Sequence, residues 1–531
     1  MQPRPFLLRT ISIVSLFASI SVARADVKLH GLFSDHMVLQ RDASVPIWGW
    51  ADEGEEVTVE FSGQKVSTRA KAGKWMVRLK KLKAGNAAED LKVTGKNSIT
   101  LKDVLVGEVW IASGQSNMEW PMRNTYQADT EIPKTANSMV RLYTVPKLKA
   151  EKPMDNVPSS WTACGPDTTP SFSAVAYYFA RDLQKALGVP VGMIHTSWGG
   201  SPAEVWMREG VLESNPDFKR DILDTYVASK KRNDGAILAW EAERDAAKQA
   251  GKPFTKRKPS LAWRPTELYN GMIAPLIPYA IKGAIWYQGE SNAERAHQYR
   301  SLFADMVSNW RDDWNQGDFT FLQVQLAPFK AIKPEPGESS WAELREAQNY
   351  AMKVLPKVGV AVITDVGDEK DIHPRKKEPA GVRLALAAQH IAYGEKIVWS
   401  GPAYKSMKVN GTKAIISFDH VGSGLVTGRA GEMEDATGPA VYDQSSGRIQ
   451  RELKGFAVCG EDRKFVWATA EIVGDKVVVR SPQVPKPVAV RFGWADFPVV
   501  NLWNREGLPA SPFRTDDFPM VTAPKSMEAK K

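Results

Sequence analysis

Cysteine, histidine and long apolar runs are all scarce in this 531-residue chain. The two cysteines, Cys164 and Cys459, lie far apart, with no CxxC pair and no clustered Cys/His set. That excludes a structural zinc site of ordinary ligand spacing and a scaffold stapled by several disulfides. It leaves two arrangements open, one disulfide or two buried thiols. Beyond residue 25 no apolar stretch approaches the length that spans a bilayer. Charge of one sign is nowhere concentrated. Lysines and arginines are interspersed with acids, the densest run is "KPFTKRKP" (252–259), and no nucleic-acid-binding motif accompanies it. No internal repeat of fixed period is present.

What is present reads as a soluble globular protein, with 43% hydrophobic and 25% charged residues. The length is too great for one core and implies about two to four domains. Eighteen tryptophans is a high count, serving either core packing or aromatic faces for flat ligands. The N-terminus has the pattern of an export signal: Arg4 and Arg9, then the apolar "TISIVSLFASISV" (10–22), then Ala23-Arg24-Ala25 as a small-x-small cleavage site. The mature chain would start at Asp26 and stand outside the cytoplasm, with no membrane attachment after cleavage. Losing Arg4, Arg9 and Arg24, with no acid before Asp26, takes the net charge from +9 to about +6.

Residues 26–105 alternate apolar and polar positions in "SVPIWGWA" (44–51), "EEVTVEF" (55–61), "KWMVRLK" (74–80) and "NSITLKDV" (97–104), separated by short turns. This predicts an N-terminal β module of sandwich type. From 106 to 394 strands alternate with helices. "GEVWIASGQSN" (107–117), "VPVGMIHTSWGG" (189–200), "KGAIWYQGES" (282–291), "FTFLQVQLAPF" (319–329) and "VGVAVITDVGD" (358–368) read as strands. Stretches 172–187, 299–314, 340–355 and 379–394 carry helical spacing. The pattern predicts an α/β domain, a parallel sheet with helices on both faces. A Lys-, Glu- and Ala-rich stretch over 203–268 reads as a helical insertion. Residues 395–520 return to β patterning as a C-terminal module, and 521–531 read as a solvated tail.

Seven histidines make the search for a base short. His195 lies inside a strand, where a buried, hydrogen-bonded ring is expected. His373 sits in a polar loop, "DEKDIHPRKK", with Asp371 two residues earlier to fix its tautomer. Ser116 sits at the tip of a strand in "SGQSNMEW" (113–120), where a nearby base and free backbone amides would make it a nucleophile. As a plain alternative it is a helix N-cap. The motif lacks the second glycine of a GxSxG elbow. Four strand ends carry polar or glycine tips: Gln115-Ser116-Asn117, Gly199-Gly200-Ser201, Gln288 to Asn292, and Asp371-Ile372-His373. In a parallel sheet these converge on one edge, where open α/β sheets place their sites.

"GQSNMEWPM", "SWGGSPAEVW", "WYQGESNA", "DIHPRKKEPAG" and "FSDHMVLQRDASVPIWGWA" resemble the sialate O-acetylesterase group of SGNH-type carbohydrate esterases. The resemblance covers nearly all of the mature chain. It implies an SGNH-type, flavodoxin-like sheet flanked by β-sandwich or jelly-roll-like modules, and a serine esterase acting on O-acetylated carbohydrate. Ser116 then stands as nucleophile and His373 as general base. The amides of Ser116 and of Gly200 or Gly199 would form the oxyanion hole, with Gln288 as side-chain donor and Asn292 its rival. SGNH enzymes commonly carry Asp three residues before the histidine. Position 370 here is Lys, which leaves Asp371 to orient His373, with Asp368 or a bare Ser–His dyad as alternatives. Asn117, Glu290 and Glu204 are expected to meet substrate or support loops. No metal or organic cofactor is required.

Sialic acid, xylan and xyloglucan are all compatible acetylated substrates; the absence of an assignable arginine clamp points toward plant or microbial polysaccharide. A non-catalytic carbohydrate-binding protein would show a broken catalytic set, yet Ser116, the glycines, Gln288 and His373 are all in place. A metal site at "DEKDIHP" would need ligands from elsewhere. The oligomeric state is left open by the sequence.

Overall fold

The computed structural model describes residues 26–428 and 453–524. The expected leader (1–25) and the last seven residues of the expected tail lie outside them. At the centre are β1 (Ser98–Gly114), β2 (Asn137–Thr144), β3 (Trp161–Cys164), β4 (Val191–Ser197), β5 (Gly283–Tyr287), β6 (Thr320–Val324) and β7 (Val358–Ala361). Their spatial order is β3-β2-β4-β1-β5-β6-β7. All neighbouring pairs in that row are parallel except β3 with β2.

The expectation of a parallel sheet needs correcting in two respects: this edge is antiparallel, and the sheet does not stop at the α/β region. β1 is one continuous 17-residue strand. Its first half pairs antiparallel with Gly85–Thr94, and Leu105–Gly107 pair parallel with Val38–Gln40. Its second half joins β4 and β5. The change of pattern at 105/106 therefore falls inside a strand, and the whole is one mixed sheet of 11 strands. A pattern of alternation marks which residues are extended; it carries no information about which strand lies alongside.

Alternation along the strands does decide which helices cover which face. Trp110 and Ala112 join a buried cluster with Phe179 and Leu384, whereas Val109 and Ile111 join another with Phe303 and Trp310. Helices α2 (Ala174–Leu187) and α5 (Glu378–Ile391) thus pack on one face, and α3 (Ala296–Trp314) and α4 (Ser340–Val354) on the other. Their ends follow local chemistry. Ser173 and Ser339 accept the Ala176 and Ala342 amides as N-caps of α2 and α4, and Gly188 ends α2 in the left-handed region at φ +64°.

The 203–268 stretch contains a 25-residue helix, Thr225–Gln249, with no buried residue. Beyond 395, the sheet containing Ala403–Asn410 and Lys413–Asp419 shares a third core with the sheet containing Phe456–Cys459 and Ala489–Phe492. Arg345 of α4 ties this region to the centre: its fully buried guanidinium donates to the carbonyls of Leu326, Ala327, Ala495 and Asp496. Cys164 and Cys459 are both buried free thiols.

Candidate active site

Ser197 of β4 and Tyr287 of β5 both pair with Gly114 of β1, so three adjacent strands end level. Gly114 makes the turn. Its φ is +137°, and a Cβ there would stand 2.2 Å from the Tyr287 carbonyl oxygen. The chain then enters a single helical turn, α1 (Ser116–Glu119), which presents Ser116 at the sheet's carboxyl edge. From the far side, the loop after β7 brings in His373.

The imidazole Nε2 lies 2.9 Å from Ser116 Oγ. Trp120 stacks on the ring, with centroids 5.4 Å apart and planes within 19°. Asp371 Oδ1 accepts the His373 backbone amide at 2.9 Å and stands 3.3 Å from its Nδ1. That carboxylate is 52% exposed, so water competes for it. Burial, helped by the charge of Lys377, holds the His373 imidazole below its ordinary pKa against the opposing pull of Asp371. His195, by contrast, is fully enclosed, hydrogen-bonded to Ser197 Oγ at 2.6 Å and depressed to about 4 by burial. It is the structural histidine that its place in a strand implies.

The expected oxyanion donors separate into engaged and open groups. Gly199 approaches Ser116 closely: a Cβ on it would stand 3.3 Å from Ser116 Cβ. Its amide, however, already donates to Glu119 Oε2 at 2.7 Å. The Gly200 amide has no acceptor among the described residues. Gln288 is fully buried, and its Nε2 donates to Asn292 Oδ1 at 2.6 Å and the Ser201 carbonyl at 3.3 Å. Both amide hydrogens are taken, which leaves neither for an oxyanion. Asn292, 1% exposed, donates to Glu204 and accepts from Gln288 and the Ala203 amide. Glu204 is itself paired with Arg295 at 2.6 Å. These three residues, expected to meet an oxyanion or substrate, join the loop after β4 to the loop after β5 through these bonds.

Asn117 and Glu290 are likewise turned inward. Asn117 is fully buried and donates to Glu290 Oε1 at 2.6 Å and to the Ile372 carbonyl at 3.1 Å. Its Oδ1 accepts from Lys377 Nζ. Burial pushes the Glu290 carboxyl up and the Lys377 ammonium down to about 7. Local pattern holds no cue to Lys377, since "RKK" (375–377) reads as a solvated basic run, yet this lysine is 1% exposed. Gln115 was also unmarked as a support; its Oε1 accepts the Gly289 and Ser291 amides at 3.4 and 3.3 Å. Among the described residues, no group of three or more His, Cys, Asp or Glu side chains is arranged to hold a metal ion. Nor is any helix there long and apolar enough to cross a membrane.

A serine hydroxyl against an imidazole, at a sheet edge with an open backbone amide, is the equipment of an acyl-transfer site. Comparison with known proteins gives that class a family. The model of the carbohydrate esterase, sialic acid-specific acetylesterase family matches residues 106–262 and 256–390. Sialate O-acetylesterase from rat (Rattus norvegicus) is 28% identical, over 94% of each chain. The mouse (Mus musculus) protein of that name is 27% identical, over 87% of this chain and 88% of its own. Among solved structures, a carbohydrate acetylesterase from Xanthomonas citri is 38% identical with a TM-score of 0.77, covering 93% of this chain and all of that one. The chain is a carboxylic ester hydrolase. It belongs to the sialic acid-specific acetylesterase family of carbohydrate esterases.

Proposed function

We propose that this chain is an exported serine esterase that removes O-acetyl groups from carbohydrate through an acetyl-enzyme, on an SGNH-type domain with β modules at either end. The observation that carries the reading is the 2.9 Å contact between His373 Nε2 and Ser116 Oγ. His373 takes the hydroxyl proton as Oγ attacks the acetyl carbonyl. The backbone amides of Ser116 and Gly200 receive the oxyanion, and His373 returns the proton to the departing sugar oxygen. A water molecule, deprotonated by the same ring, then attacks the acetyl-enzyme and releases acetate. Trp120 fixes the plane of the imidazole. Asp371, exposed as it is, orients the ring weakly.

Lys377, Asn117 and Glu290 form the buried support beneath this pair. Asn117 follows the nucleophile directly and holds the Ile372 carbonyl, the group just before the base. One small amide thereby joins the two catalytic loops, and Lys377 fixes that amide from below. The test is acetate release from 4-nitrophenyl acetate by the mature protein beside Ser116→Ala and His373→Ala, followed by a panel of acetylated xylan, xyloglucan and sialoglycans. Folded wild type that is inert on all of these would end the reading.

A further inference from the structure

The stretch "SVPIWGWA" contributes nothing to the catalytic loops, yet it places two partly buried tryptophans on one face of a small sheet, Trp48 packed on its inner side against Phe33 and Tyr279. Val45–Trp50 pairs antiparallel with Lys74–Leu79, with Trp48 opposite Met76 and Trp50 opposite Lys74. These four side chains share one face. The other face carries Val45, Ile47, Trp75, Val77 and Leu79, all in the core. Trp48 and Trp50 are only partly buried, and Met76 is 39% exposed. An outward face ordinarily carries Thr, Lys or Glu. Indoles and a thioether on it, rimmed by charge, mark a binding surface.

Segments 154–155 and 274–278 wall this face into a cavity of about 340 Å³, within the size range of small-ligand sites. No residue lining it belongs to the loops of Ser116, Gly199, Gln288 or His373. Its rim offers both kinds of polar partner. Lys74 and Asp155 face each other at 2.9 Å with both side chains more than half exposed, and Arg69, paired with Glu56, also lines the cavity. Beneath the indoles lies His30, fully buried and 5.0 Å from Trp48 between ring centroids. Its Nδ1 accepts the Leu32 amide, so Nε2 carries the proton. That N–H interacts with the backbone carbonyls of Pro275 and Asp155, both part of the cavity wall.

We infer that this cavity is a carbohydrate-binding site, separate from the catalytic centre, that takes a pyranose ring of an uncharged polysaccharide chain. A pyranose has an apolar face of C–H groups and an equatorial ring of hydroxyls, each both donor and acceptor. Partly exposed indoles match the first, and an adjoining ammonium and carboxylate match the second. A charged sugar has less reason to settle here, because Lys74 is paired with Asp155 and Arg69 with Glu56. The site would hold the chain on polymer and would have no effect on a small ester. It is independent of the esterase mechanism.

The test is affinity electrophoresis of the full chain carrying Ser116→Ala in gels containing soluble deacetylated xylan or xyloglucan, with polygalacturonate as the acidic control. Retardation by at least one neutral polymer is expected. Trp50→Ala should lower that affinity by about tenfold, the scale of one lost aromatic contact. Asp155→Ala, an exposed change safe for folding, should lower it several-fold. Circular dichroism reports folding, so an inert esterase would leave this test intact. Loss of retardation in either folded variant supports the site. No retardation by either neutral polymer, retardation by polygalacturonate alone, or unchanged affinity in both variants overturns it.

Discussion

Two neighbouring strands end in nearly the same words. Gly114-Gln115-Ser116-Asn117 follows β1 and Gly289-Glu290-Ser291-Asn292 follows β5, in adjoining positions on the sheet edge. In both, the asparagine is buried and fastens other loops. The serines part company: Ser116 meets His373 at 2.9 Å, whereas Ser291 is exposed and its amide merely braces Gln115. A GxSN turn therefore makes a scaffold, and only one of its two serines is met by an imidazole from another strand, as the proposed nucleophile must be. The β5 copy shows the scaffold without the chemistry.

That comparison can be broken most decisively at Ser116. Ser116→Ala or His373→Ala should lower turnover of 4-nitrophenyl acetate by at least about 10⁴-fold while leaving the fold intact by circular dichroism. Next in size comes the support loop. Gln288→Ala leaves the Tyr299 Oη–H without its acceptor in a fully buried setting, while Asn292 Oδ1 keeps the Ala203 amide. A loss of about 1–3 kcal/mol in urea unfolding is expected, the cost of orphaning one buried polar group. The surviving folded enzyme should lose far less activity than Ser116→Ala; if it were as dead, Gln288 would be touching the reaction directly.

Lys377→Met should lower kcat/KM about tenfold by loosening Asn117 from below. It should also move the pH profile, and the sign is fixed by charge. The proposed reaction needs neutral His373, whose pKa is already held down by burial and by Lys377, so activity should fall as pH drops through that lowered value. Removing the cation raises the His373 pKa, and the acid limb of kcat/KM must move to higher pH. A limb that stays in place would show that Lys377 acts by packing alone. Asp371→Asn should cost less than about tenfold, because the carboxylate is more than half exposed and only 3.3 Å from Nδ1 at best. Smallest of all, Ser291→Ala should leave turnover within about twofold of wild type, as for an ordinary surface change. A larger loss would mean that the two turns are not as different as their surroundings imply.

The elements themselves were largely legible. Period-3.6 spacing foretold helices over 172–187 and 340–355, and the structure has them at Ala174–Leu187 and Ser340–Val354. Ser116 and His373 stood out because polar tips after apolar runs are conspicuous. Lys377 did not, because a lysine between Lys376 and Glu378 looks solvated; it becomes buried only when the rings of Trp120 and Tyr287 bring their centroids within 5.4 and 5.6 Å of its ammonium. The partners of Gln288 and Asn292 were hidden for the complementary reason. A polar side chain advertises its donors in the sequence, while the partners that satisfy them are unmarked: for Gln288 they are Asn292 four residues on and Ser201 on another loop.

By itself the sequence determined the period of each element and the residue types gathered at the strand ends. These are local properties, set by backbone sterics and side-chain shape within a few residues. The tertiary structure alone decided that β1 runs unbroken from the N-terminal strands into the sheet edge that carries Ser116, that Ser116 and not Ser291 meets an imidazole, and which of Gly199, Gly200 and Gln288 keeps a donor open. Those are pairings between distant segments, and a hydrogen bond is committed only when its partner arrives.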